Sequence, residues 1–108
     1  MEKGEIWIIS LADSSGHEQV GTRPAIIISD TQSPMSIVVP VTSNLQALRF
    51  QHTLALEPAN SNGLKEESVA LVFQIRAVDK SRLQKKIGIL DQKATSRIDD
   101  ILRRLLKL

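Results

Sequence analysis

The chain has 108 residues, 42% hydrophobic and 24% charged, with 14 basic against 12 acidic side chains for a formal charge of +2; this describes one globular domain and excludes disordered and collagen-like chains. No cysteine and only two histidines are present, which excludes a disulfide scaffold, a thiolate metal site, a cysteine nucleophile and a histidine-rich metal site. The start, Met1-Glu2-Lys3-Gly4, lacks the layout of a signal peptide and no apolar run reaches membrane-spanning length, so a cytoplasmic protein without membrane contact is expected.

Taken in chain order, Glu5 to Leu11 is rich in branched and aromatic residues and predicts a buried strand, with Trp7 in the core. Ala12 to Thr22 is polar and rich in glycine and serine, which predicts a loop. A second strand is predicted over Arg23 to Ser29, where Ile26, Ile27 and Ile28 run too continuously for a strand with one wet face. A turn at Asp30 to Pro34 leads to a third strand, Met35 to Val41, whose Pro40 marks a strand end, edge or bulge because proline cannot donate to a ladder. Thr42 and Ser43 emerge there. After a polar connection through Asn44 and Gln46, a fourth strand is predicted over Thr53 to Leu56, with a turn over Pro58 to Gly63.

Ser68 to Val78 reads as the fifth and longest strand. Asp79 to Leu83 reads as one helical turn capped by Asp79, and Lys85 to Leu90 as a sixth strand in which Gly88 marks a bulge. The long helix is C-terminal. Asp91 is its expected N-cap, and Ala94, Ile98, Ile101, Leu102, Leu105 and Leu108 recur at three- and four-residue spacing to make one apolar face. Many short strands and one terminal helix predict a mainly β domain, residues 1–108, either a small strongly bent barrel or a folded sheet with the helix against it.

The loop and strand start Gly16-His17-Glu18-Gln19-Val20-Gly21-Thr22-Arg23-Pro24 is the stretch where chemistry concentrates. Its glycines let the loop fold back, and Pro24 biases Arg23 toward an extended backbone at the rim of the sheet, with a guanidinium shaped for phosphate. Followed by Ala25-Ile26-Ile27-Ile28-Ser29, this stretch resembles the signature of the MazF/PemK (Kid) family of toxin endoribonucleases. Val39-Pro40-Val41-Thr42-Ser43 resembles the family's second motif, Ser68 to Lys80 its third, and Gly4-Glu5-Ile6-Trp7 its opening. The four stretches occur in order over nearly the whole chain.

The resemblance implies an SH3-like barrel of the MazF/Kid/CcdB type and a sequence-specific, metal-independent endoribonuclease without cofactor. It would cut single-stranded RNA as the toxin of a type II toxin–antitoxin pair, leaving 2′,3′-cyclic phosphate and 5′-hydroxyl ends. It also implies a homodimer and a cognate antitoxin with an acidic tail. Arg23 and Thr42 are the first expected catalytic residues, Arg23 by stabilising charge more than by moving protons, since arginine is a poor acid or base in water. His17 would act as auxiliary acid or base, while Glu18 would orient Arg23, accept the proton or fix the loop. Gln19, Thr22, Ser43, Gln74 and Arg76 are the expected RNA contacts, with Arg49, His52, Lys65 and Lys80 as looser ones. Where the Kid branch has aspartate and other branches glutamate, this chain has Phe73, and where the Kid branch has arginine it has Leu71, so that acid–base pair is missing. Phe73 either stacks a base or belongs to the core. The alternative is a non-catalytic gyrase-binding toxin like CcdB, whose tryptophan-bearing tail is absent from the ending Leu106-Lys107-Leu108.

Overall fold

The isoleucine run of residues 26–28 needs apolar cover on both faces, and the fold supplies it. A computed structural model describes residues 1–10 and 21–108 of the chain. There β2 (Thr22–Asp30) lies between β1 (Glu5–Ser10) and β3 (Met35–Thr42), antiparallel to both. Ile26 enters the main core with Ile6, Val39, Val41 and Val72, while Ala25 and Ile27 enter a second cluster with Ile9, Val38 and Val78. Trp7 packs against that second cluster, half-buried.

The remaining elements are β4 (Thr53–Leu56), β5 (Ser68–Leu71), β6 (Arg76–Asp79), β7 (Leu83–Ile89) and α1 (Gln92–Leu106). The connection before β4 is not plain loop: Leu45–Arg49 forms a 3-10 turn, capped by Asn44 accepting from the Gln46 N–H. The expected fifth strand is divided. From Ala70 to Arg76 the chain advances six residues while its partner β3 advances only three, from Val41 to Val38, and the surplus Val72–Gln74 forms a 3-10 turn. Pro40 sits one residue from this change of partner, where a missing N–H costs least.

The strands run in the order β4-β5-β3-β2-β1-β7, with β6 also on β3. The expected barrel is not closed by a ladder among the described residues, because the end strands β4 and β7 do not pair. Instead the turn after β4 bridges the gap. Ile89 donates its N–H to the Ser61 carbonyl at 2.9 Å, and two glycines allow the approach. A Cβ on Gly88 would lie 2.3 Å from the Asn62 carbonyl carbon, and one on Gly63, at φ +73°, would lie 2.2 Å from the Ile87 oxygen. The bulge expected at Gly88 is present, since the β1–β7 register steps past Ile87 between the Ile6 and Trp7 pairs.

The predicted caps are observed. Asp79 accepts from the Ser81 N–H at 2.9 Å and Asp91 from the Ala94 N–H at 2.8 Å. Helix α1 buries Ile98 and Ile101 against the main core, with Ala94 and Leu102 partly covered; Leu108 lies past the helix end and is exposed rather than part of the apolar face. No helix among the described residues is long and apolar enough to cross a membrane.

One buried charge ties β1 to β7. Glu5 accepts from Trp7 Nε1 at 2.9 Å and pairs with Lys86 at 3.4 Å. Burial works to raise its pKa, but the Trp7 and Glu2 hydrogen bonds and Lys86 outweigh it and hold the carboxyl below its ordinary 4.5. A folded-state pKa lowered in this way contributes stability that is present above the ordinary value and lost as pH falls through the folded one. Glu5→Ala should therefore cost about 1–3 kcal/mol at neutral pH in urea unfolding. The gap between wild type and variant should shrink as pH falls from about 5 toward 3.

Candidate functional site

Strands β2 and β3 part where the site begins. Their last pair is Ala25 with Pro40, and the same register continued would set Arg23 across from Thr42. By then β3 has turned to β5, pairing Val41 with Ala70 and Thr42 with Val69. With no ladder between the two strand ends, a cleft of about 600 Å³ opens, lined by both Arg23 and Thr42.

Its floor crosses the sheet. Ile8 of β1 pairs with Pro24 on one side and Lys85 on the other, so Lys85, Ile8 and Pro24 form a row, about 10 Å wide at ordinary strand spacing. Val41, Leu64 and Ile87 complete the apolar part. The turn that bridges the sheet ends supplies a wall from Gly63 to Glu66, with Ser68 beside it. That wall is anchored by Asn62, a buried side chain whose Oδ1 accepts from the Ala59 and Leu64 N–H groups at 3.1 and 2.9 Å, and whose amide donates to the Glu57 carbonyl at 2.9 Å.

The cleft is polar at its rim. Arg23, Lys65 and Lys85 line it with one carboxylate, Glu66, and among the described residues none of these four is in an ion pair. The Thr42 hydroxyl oxygen accepts from the Asn44 N–H at 3.2 Å, which leaves its own proton for another acceptor. Such a rim suits an anion held over an apolar floor. Among the described residues, no group of three or more histidines, aspartates or glutamates stands close enough to hold a metal.

Of the residues expected from sequence, the structure brings Arg23, Thr42, Thr22, Ser43 and, of the looser ones, Lys65 into this cleft. His17, Glu18 and Gln19 lie outside the described residues. Gln74 and Arg76 are exposed on the 3-10 turn and on β6, and they do not line the cleft. Phe73 is neither in the core nor in the cleft: it is 37% exposed, with its ring 5.9 Å from that of Phe50. The Arg49 guanidinium lies 5.2 Å over Phe50, and Lys80 is held by Asp30 at 2.7 Å. His52, at φ 61°, accepts the Phe73 N–H through its carbonyl.

The residues 2–106 match the family model described as the PemK-like, MazF-like toxin of type II toxin–antitoxin systems. The endoribonuclease EndoA of Bacillus subtilis is 31% identical over 107 residues, 95% of this chain and 91% of that protein. The endoribonuclease MazF of Staphylococcus saprophyticus is 31% identical over 106 residues, 94% of this chain and 88% of that protein. Among solved structures, a MazE–MazF structure from Deinococcus radiodurans aligns over 100% of this chain and 96% of its own, at TM-score 0.78 and 26% identity. MazF from the same organism aligns over 100% and 97%, at TM-score 0.78 and 23% identity.

Sequence reasoning missed Lys85 and Glu66. Lys85 had a signal, since it stands two residues before Ile87 and so faces the same side of the strand. Glu66 had none, because its place follows from the contact between the Asn62–Gly63 turn and β7. Gly88→Ala should force that wall away from β7, at a cost of at least about 2 kcal/mol in urea unfolding. Amide NMR shifts should move at Leu64, Lys65 and Glu66 and stay in place in the last turns of α1.

Proposed function

Since the chain belongs to the PemK-like, MazF-like family of toxins of type II toxin–antitoxin systems, we propose that it is an RNA-cleaving toxin whose reaction takes place in the cleft between the parted ends of β2 and β3. The observation that carries this placement is the convergence of Arg23 and Thr42 on one cleft. The gyrase-binding alternative is set aside, because relatives matching 94–95% of the chain are endoribonucleases.

Single-stranded RNA can be cut by its own 2′-hydroxyl. The oxygen attacks the adjacent phosphorus, the bond to the 5′-oxygen breaks, and the products are a 2′,3′-cyclic phosphate and a 5′-hydroxyl. Two things limit the rate: negative charge gathering on the phosphorane and the proton that must leave the attacking oxygen. Arg23 answers the first, with a planar cation on a backbone that Pro24 restrains. Thr42 donates its free hydroxyl proton to a non-bridging oxygen. Lys85 and Lys65 face the flanking phosphates, and Thr22 and Ser43 lie within the same cleft. The chemistry asks for no metal, since the guanidinium and ammonium groups supply the positive charge.

Gln74 and Arg76 would meet the RNA strand outside the cleft, and His17, Glu18 and Gln19 are kept as further contributors on the family resemblance. The protein works in the cytoplasm, where transcripts are, and its partners are single-stranded RNA, a cognate antitoxin and a second copy of itself. The MazE–MazF likeness supports the antitoxin. Exposed Leu45, Leu48, Phe50 and Phe73 support the second copy, as apolar surface that association would cover. With a mixed RNA pool and chelator present, the purified protein should cut at a short sequence. Arg23→Ala should lower the single-turnover rate by at least about 100-fold, and Thr42→Ala by about tenfold. Unchanged rates in both would contradict the placement.

A further inference from the structure

The cleft is rich in donors, and its reaction also needs an acceptor. The step that follows rests on the RNA-cleaving reading above. As the 2′-oxygen bonds to phosphorus its proton must go somewhere. Arginine and lysine side chains are donors when charged, and serine or threonine hydroxyls are not basic at neutral pH. Among the described residues that line the cleft, one carries a carboxylate: Glu66.

Three observations set Glu66 apart. Its backbone is held on both sides, since Leu64 is buried and bonded to Asn62, and the buried Ser68 hydroxyl donates to the Glu66 carbonyl at 2.9 Å. Among the described residues no cation claims its carboxylate in an ion pair. Its neighbour Glu67, exposed like Glu66 itself, does not line the cleft. Phe73 offers no substitute, being uncharged and set against Phe50 outside the cleft.

We propose that Glu66 is the general base of the cleavage, a catalytic residue reaching the reaction from the turn that bridges the ends of the sheet. Its carboxylate takes the 2′-hydroxyl proton as the bond from that oxygen to phosphorus forms. The bond to the 5′-oxygen then breaks, and that oxygen is protonated from solvent water at the open side of the cleft. The charged groups that line the cleft with Glu66 are Arg23 from β2, Lys85 from β7 and Lys65 from its own turn.

The test is single-turnover cleavage of a random-sequence RNA pool by wild type, Glu66→Gln and Glu66→Asp across a range of pH. Binding of the same pool with 2′-O-methyl groups, which cannot be cut, is measured in parallel. Glu66→Gln should lose about 100-fold or more in rate and the acidic limb of the pH–rate profile, while binding the 2′-O-methyl pool as wild type does. Glu66→Asp should regain part of the rate with the limb restored. An active wild type with Glu66→Gln within threefold of it, or with the acidic limb retained, or with rate and binding lost together, would overturn the assignment and leave the cleft standing. A wild type that leaves the pool uncut would bring down the nuclease reading itself, and this one with it.

Discussion

A strand can offer its hydrogen bonds to one neighbour on each side at a time, and the site exists because β3 cannot stay with β2 to its end. At Pro40 the β2–β3 ladder stops, and the last residues of β3 go over to β5. Two strand ends that would otherwise zip together stand apart, with Arg23 on one and Thr42 on the other. The separation is also what gives the cleft an apolar floor, because Ile8 and Pro24 of the row beneath are left uncovered. A long flexible loop could carry the same two side chains, but it would have to order them at each encounter with substrate. Here the ladders already fix both backbones, and the two residues border one apolar-floored cleft before any ligand arrives.

The second constraint is closure. A sheet of this length curls until its ends approach, and β4 and β7 meet through a turn and two glycines in place of a ladder. That substitution has a chemical consequence. A ladder would turn its side chains alternately in and out, whereas a turn can aim several successive residues at one space, and Gly63 to Glu66 all border the cleft. On the other side of β3, the three-residue surplus between β5 and β6 lifts Phe73 out of the sheet into contact with Phe50. A carboxylate at residue 73 would stand on that turn, outside the cleft, while the bridging turn brings Glu66 to its wall.

Much of this was legible in the chain itself. The strands at Glu5, Arg23, Met35 and Thr53 and the helix from Asp91 follow from local pattern and capping chemistry, and the structure finds them within a residue or two. Arg23 and Thr42 were legible as candidates because glycine, proline and the family's motifs surround them, and the structure brings both to one cleft. What local pattern could not show is anything that depends on one strand's register against another. The break inside Ser68 to Val78 is invisible in an apolar run, since it arises from mismatch with β3. Leu45–Arg49 reads as polar connection because its one buried residue, Ala47, carries little hydrophobic signal. Lys85 and Glu66 look like any solvated charges, and exposed they stay; only the curl of the sheet sets them at the border of one cleft.

The central claim is that Arg23 and Thr42 hold one phosphate between them across the parted strands. A double-mutant cycle on the single-turnover cleavage rate tests it most directly, using Arg23→Ala, Thr42→Ala and the combined variant on one RNA substrate. Groups that share a phosphate should couple, so that the double variant loses at least about fivefold less than the product of the single losses. Losses that multiply within error would mean that the two side chains act independently, and the cleft as described here would not be where the RNA is cut.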